Sequence, residues 1–218
     1  MPITIEFLKG NVVRGSEVCE IRAPSNFKSF FHGKPPSLWC RGDLTILDRT
    51  LLGIISARQI DSDLTSESSQ LLKQLVFMKD VSFVGGWHSP LEEEALRVLL
   101  AQEASIIFCV SKGLDRFIPS IEVASRVSQG QALLLTHCSP KAKRITRDAS
   151  MRRNQLVVEL AKALLILSAP EGSASLNLAR SALRQGKTVH TLEHRLNKDL
   201  LRAGAVPATL DTVKEALR

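Results

Sequence analysis

Short, nearly unbroken apolar runs recur along the chain at Leu51–Ser56, Val81–Val84, Ile106–Val110, Ala132–Thr136, Ala163–Ser168 and Thr188–Leu192. Runs of this kind read as strands covered on both faces. The intervals between them carry a helical repeat instead. Leu64–Phe77 has apolar residues at 64, 71, 72, 75 and 76, and Leu91–Gln102 has them at 91, 95, 98 and 99. Ile121–Ser128, Arg152–Lys162 and Ser175–Gln185 follow the same rule. Strands alternating with helices predict βαβ units and a mainly parallel sheet, and right-handed crossovers put helices on both of its faces.

The expected fold is therefore α/β, a Rossmann-like doubly wound layer over residues 51–194. Residues 1–50 read as a short N-terminal extension, with Ile3–Leu8 and Asn11–Ile21 as possible strands on the sheet edge and Ala23–Gly42 as a Pro/Gly-rich prelude. Residues 195–218 read as a helical tail: Leu196–Ala203 stopped by Gly204, then Thr209–Leu217, able to cap the sheet or meet a second copy. Composition agrees with a globular chain, at 218 residues, 44% apolar and 23% charged. No stretch suits a membrane span, and Glu6 and Lys9 interrupt what a signal peptide would need, so the expected location is cytoplasmic. Cys19, Cys40, Cys109 and Cys138 lie 21, 69 and 29 positions apart with no metal-ligand spacing, so neither a metal nor a disulfide framework is expected.

Charge changes the picture more. Residues 1–140 hold 14 Lys/Arg against 15 Asp/Glu, whereas 141–218 hold 15 against 7, so the net +7 comes from the last third. Lys141, Lys143, Arg144, Arg147, Arg152 and Arg153 crowd into thirteen residues with one acid, Asp148. That suits a polyanion.

Ligands of open α/β sheets bind beyond the carboxyl ends of the strands. Here those ends carry Ser56-Ala57-Arg58, then Gly85-Gly86-Trp87-His88-Ser89-Pro90, then Ser111-Lys112-Gly113-Leu114-Asp115-Arg116, and finally Glu171-Gly172-Ser173-Ala174-Ser175. Glycines and small hydroxyl residues at helix starts let N–H groups approach phosphate. Arg58, Lys112, Arg116 and Arg153 would match it in charge. Trp87 is the candidate for base stacking. No G-x-G-x-x-G and no Walker A sequence is present. His88 and Glu92, four apart, suit a base and its orienting carboxylate, yet no nucleophile can be set against them.

The order of these motifs resembles the DNA-processing protein A family (DprA, or Smf), as a stand-alone Rossmann-like domain of the SLOG type. Pro36-Ser37-Leu38-Trp39-Cys40-Arg41-Gly42-Asp43-Leu44 is similar to the family's P-x-x-L-x-x-R-G-D-L, and Gly53-Ile54-Ile55-Ser56-Ala57-Arg58 stands where the family has A-I-V-G-S-R. Lys112-Gly113-Leu114-Asp115-Arg116-Phe117-Ile118-Pro119 resembles x-G-L-D-x-x-Y-P, Arg152-Arg153-Asn154-Gln155 resembles x-R-N-R, and Ser173-Ala174-Ser175-Leu176 resembles S-G-S-L. Pro90 and Glu92 stand in place of the glycine and acid of S-G-x-A-x-G-I-D.

The resemblance implies single-stranded DNA as the partner, bound in a basic pocket without catalysis or cofactor, with a homodimer and delivery of a recombinase. The role implied is DNA uptake, recombination or phage defence. The DNA- or phosphate-binding set expected is Ser56, Arg58, Gly85, Gly86, His88, Ser89, Lys112, Gly113, Asp115, Arg116, Lys141, Lys143, Arg144, Arg152, Arg153, Asn154, Ser173 and Ser175. Two other readings stay open: an antitoxin-like partner of a toxin protein in a defence operon, and a pocket that binds or hydrolyses a nucleotide. For hydrolysis, Pro170–Ser175 only faintly matches the P-G-G-x-G-T-x-x-E loop of distant nucleotide hydrolases, and the loop's glutamate is missing.

Overall fold

The computed structural model describes residues 17–23, 27 and 37–218. Among the described residues nine strands form one sheet: β1 (Cys19–Arg22), β2 (Ser37–Gly42), β3 (Thr50–Ile55), β4 (Val81–Gly85), β5 (Ile106–Val110), β6 (Ala132–Thr136), β7 (Ala163–Ile166), β8 (Thr188–Thr191) and β9 (Val206–Pro207). Their spatial order is β1-β2-β6-β5-β4-β3-β7-β8-β9. The seven strands from β6 to β9 in that order are parallel; β2 runs antiparallel to β6 and β1 antiparallel to β2.

Helices α1 (Ser62–Leu75), α2 (Pro90–Ala101), α3 (Ile121–Ser128) and α7 (Leu210–Leu217) bury Leu72, Leu99, Val123 and Val213 against one face of the sheet. On the other, α4 (Arg147–Leu160), α5 (Ala174–Arg184) and α6 (Lys198–Arg202) bury Val157, Leu176 and Leu200. Strand β3 serves both layers, Leu51 and Ile55 pointing one way, Leu52 and Ile54 the other. This two-sided burial explains why the central strands read as apolar runs, and each such side chain contributes roughly 1.5–3 kcal/mol. The architecture is the Rossmann-like layer expected. Among the described residues, no helix is long and apolar enough to cross a membrane.

Three elements differ from expectation. Helix α4 begins at Arg147, five residues before the apolar repeat does. Thr146 caps it by accepting the Ala149 N–H at 3.0 Å, and the polar first turn Arg147–Ser150 adds no apolar period. Strand β2 lies inside the Pro/Gly-rich prelude, with alternate residues Leu38, Cys40 and Gly42 buried. Val206-Pro207, between the two expected tail helices, pairs with β8 as a two-residue edge strand where the missing proline N–H costs nothing. Expected strand Ile3–Leu8 and residues 11–16 of Asn11–Ile21 lie outside the described residues.

Candidate nucleic-acid interface

The loops leaving the carboxyl ends of β3 to β7 carry the residues singled out above. Strand order reverses between β3, which leads to β4 on one side, and β7 on the other, the place where such sheets hold ligands. Here the protein draws that seam together. Ala57 N–H donates to the Ser168 carbonyl at 2.8 Å, and the Ser175 hydroxyl donates to the same carbonyl at 3.0 Å. The Ser56 hydroxyl donates to the Ala57 carbonyl at 3.0 Å. Ser56 and Ser175 are both buried, with their hydroxyls committed to the chain. Ser173 caps α5, accepting the Leu176 N–H at 3.1 Å, and Arg58 stands exposed.

Beside this seam, the turn between β4 and α2 holds an anion of the chain's own. Glu92, in the first turn of α2, is 1% exposed and accepts the Ser56 N–H at 2.8 Å, the His88 N–H at 3.1 Å and the His88 ring Nδ1 at 3.0 Å. The positive end of the helix favours a carboxylate there. Burial pushes the Glu92 carboxyl up, yet the hydrogen bonds from the His88 ring and the two N–H groups outweigh it and hold the carboxyl below its ordinary value. Ser89, the cap of α2, is fully buried.

Arg153, from the second turn of α4, reaches the same turn. Its Nη2 donates to His88 Nε2 at 3.0 Å and its Nε to Asn154 Oδ1 at 2.9 Å. A guanidinium has only donors, so His88 Nε2 accepts and the ring proton sits on Nδ1, facing Glu92. Gly86 makes room for this. A Cβ there would stand 2.6 Å from Arg153 Cζ, inside any tolerable contact. Arg153 is 3% exposed, so the surface of the relay is His88, whose side chain is 38% exposed.

Trp87 is not a stacking platform. Its backbone takes a left-handed φ of 53°, which turns the indole inward against Gly85, and its Nε1 donates to the Ile107 carbonyl at 3.1 Å. It is buried, with no ring face to offer a base.

A second group lies on the loops after β5 and β6, which are tied together. Gly113 N–H donates to the Ala142 carbonyl at 3.0 Å and Asp115 N–H to the Pro140 carbonyl at 3.1 Å. A Cβ on Gly113 would stand 2.1 Å from the Pro140 carbonyl oxygen. Arg41 of β2 braces the pair from behind, donating to the Leu114 carbonyl at 3.3 Å. Asp115 thus orders its loop through its main chain. Asp115, Arg116, Lys141, Lys143 and Arg144 are exposed, and Lys112 stands half-buried over the Phe117 ring at 5.9 Å. Arg152 pairs with Asp148 at 3.0 Å. Among the described residues, no three His, Cys, Asp or Glu side chains gather as a metal site.

Sequence reasoning paired His88 with Glu92 by their spacing but left Glu92 out of the binding set. It also missed two braces. Arg41 lies in the R-G-D-L motif. Buried Asn197 donates to the Leu167 and Leu192 carbonyls at 3.1 Å each and accepts the Ala169 N–H at 2.9 Å.

A doubly wound, mainly parallel sheet with a strand-end turn built on paired glycines and exposed cations on its loops makes this an α/β protein of the Rossmann-like class. The family model described as DNA recombination-mediator protein A matches residues 18–209, and the chain belongs to that family, among proteins of DNA processing and recombination. Among solved structures, DNA processing protein A from Helicobacter pylori is similar at a TM-score of 0.76 and 21% identity, over 93% of this chain and 98% of that one. DNA processing protein A from Streptococcus pneumoniae is similar at 0.75 and 18%, over 87% of this chain and 69% of that one. The molybdenum cofactor carrier protein from Chlamydomonas reinhardtii shares the fold more distantly, at 0.55 and 15%, over 78% and 99%. No curated protein sequence matches.

Proposed function

We propose that this chain binds single-stranded DNA along the rim formed by the loops after β3, β5 and β6, without chemistry on the strand, as a step in DNA uptake, recombination or phage defence. The observation that carries this reading is the company of exposed Arg58, Arg116, Lys141, Lys143 and Arg144 at one end of the sheet in a member of this family. The Helicobacter pylori relative is described as binding single-stranded DNA. Backbone phosphates meet this rim first, because the turn after β4 already holds Glu92 and repels a second anion. His88 is the point where the buried relay meets the strand. Catalysis finds no support there, since the lone pair of His88 Nε2 is taken by Arg153. A recombinase that takes the strand over, and a second copy of this chain, are the protein partners this reading implies.

The test is fluorescence anisotropy with labelled single- and double-stranded oligonucleotides over a salt series. Single-stranded DNA is expected to bind more tightly, with log affinity falling linearly in log salt. Replacing Lys141, Lys143 and Arg144 together by Ala should reduce the magnitude of that slope by about 2, at roughly 0.7 per lost phosphate contact. Absence of binding at low salt overturns the reading and leaves the rim to a protein or a nucleotide.

A further inference from the structure

Strands β1 and β2 place two thiols face to face. Cys19 and Cys40 are direct partners in their antiparallel register, and directly opposed residues of such a pair point to the same side of the sheet. Opposed Cα atoms in antiparallel pairs stand about 4.5–5.5 Å apart, inside the range a disulfide spans. The contact is present in the reduced state: the Cys40 thiol donates to the Cys19 carbonyl at 3.6 Å. All four cysteines are free, with Cys109 buried in β5 and Cys138 beside His137 beyond the end of β6.

We propose that Cys19 and Cys40 are a redox modification site, closing to a cross-strand disulfide that staples β1 to the sheet. The oxidant is a small-molecule disulfide. Cys19, half-buried in the outermost strand, attacks as its thiolate and expels one thiolate of the oxidant. Cys40 then attacks Cys19 Sγ, forms the S–S bond and expels the second. The two protons lost by the cysteines end on the two released thiols, and one disulfide has been exchanged for another. Burial pushes the Cys40 thiol up to about 12, so it is not the first attacker; the register that holds it opposite Cys19 makes its attack on the mixed disulfide intramolecular. The staple would lie next to Arg41, the residue of β2 that braces the rim loop at Leu114. The proposal rests on strand register alone and stands whether or not the rim binds DNA.

Oxidised glutathione added to the folded protein, followed by trapping of remaining thiols and mass spectrometry without reduction, tests it. Trypsin leaves the two thiols on separate peptides, 15–22 and 29–41. The expected result is a linked pair of these peptides, two titratable thiols in place of four, and an unfolding midpoint raised by roughly 5 °C or more. Cys138→Ser should leave the link intact, and Cys19→Ser should abolish it. Four thiols after prolonged oxidation, a glutathione adduct on Cys19 that Cys40 does not resolve, or a link through Cys138 would each overturn the proposal.

Discussion

Arg153 and His88 meet across 3.0 Å from elements 65 positions apart in sequence, one on α4 and one in the turn after β4. The contact fixes the tautomer of the histidine and passes a hydrogen bond on to buried Glu92. It therefore joins a crossover helix to the strand end beneath the rim, and its geometry depends on the bare Cα of Gly86.

Gly86→Ala should break that arrangement. The new methyl group would stand 2.6 Å from Arg153 Cζ, and the guanidinium it meets is buried. Either Arg153 leaves His88 or the turn shifts, and overpacking of this sort costs typically 1–3 kcal/mol. Thermal unfolding should show a midpoint lower by several degrees. An unchanged midpoint would mean that the turn is looser than this packing implies.

Glu92 makes stability depend on acid. Its folded carboxyl lies below the ordinary value of 4.5, so the unfolded chain binds the proton more readily. The contribution is present above the ordinary carboxylate range and is lost as pH falls through the folded value. Glu92→Gln removes this dependence and sets an amide NH₂ against either the Ser56 N–H or the two His88 donors, because these fall on different carboxylate oxygens, at a cost of about 1–3 kcal/mol near neutrality. Urea unfolding at pH 7 and pH 4 should show the variant less stable at pH 7 and less sensitive to the change.

The central strands were legible because both their faces are buried, which leaves an apolar run as their only pattern. The site was legible only in part. The spacing of His88 and Glu92 announced their contact, but not that Glu92 would fill the helix terminus a phosphate was expected to use. That outcome depends on Ser56 N–H arriving from another strand. Trp87 misled for a similar reason: an aromatic residue after two glycines has no pattern that tells inward from outward. The start of α4 was hidden because Thr146 and Arg147–Ser150 signal through a cap and charges rather than through apolar spacing.

His137 should dominate the loss of stability at mildly acidic pH. Burial, with a smaller push from Arg152, lowers its folded value to about 4 from 6.5. The native imidazole stays neutral where the unfolded one takes a proton, so stability is full above about 6.5 and falls as pH drops towards 4. The slope is at most one proton, up to ~1.4 kcal/mol per pH unit. His137→Asn should flatten the curve between these values in denaturant titrations at pH 7, 6 and 5. A wild-type curve already flat there would refute the assignment.

His190 marks a place where the fold is not optimal. It is buried in β8, and both ring nitrogens lack a hydrogen-bond partner among the described residues. Burial also lowers its readiness to take a proton. Leucine keeps much of the volume and removes two desolvated polar atoms, so His190→Leu should stabilise the protein by about 1–2 kcal/mol. A higher urea midpoint with an unchanged slope would show this.

With Trp87 inside, the apolar surface nearest the cationic rim is aliphatic. Ile118, on the loop after β5, is 90% exposed and Ile121, the first residue of α3, 92%, while Ile145 is exposed on the loop after β6. Isolated exposed isoleucines are ordinary, but on the proposed rim these three, on segments tied to each other, would cover bases whose phosphates meet Lys141, Lys143 and Arg144. A phosphate contact and a base contact differ in how salt affects them. Ile118→Ser with Ile121→Ser should weaken single-stranded DNA binding by about 5- to 30-fold, equivalent to about 1–2 kcal/mol, and leave the salt slope unaltered. The lysine and arginine replacements should act on the slope itself. If the isoleucine pair changes the slope, or leaves affinity as it was, the bases do not lie on this loop.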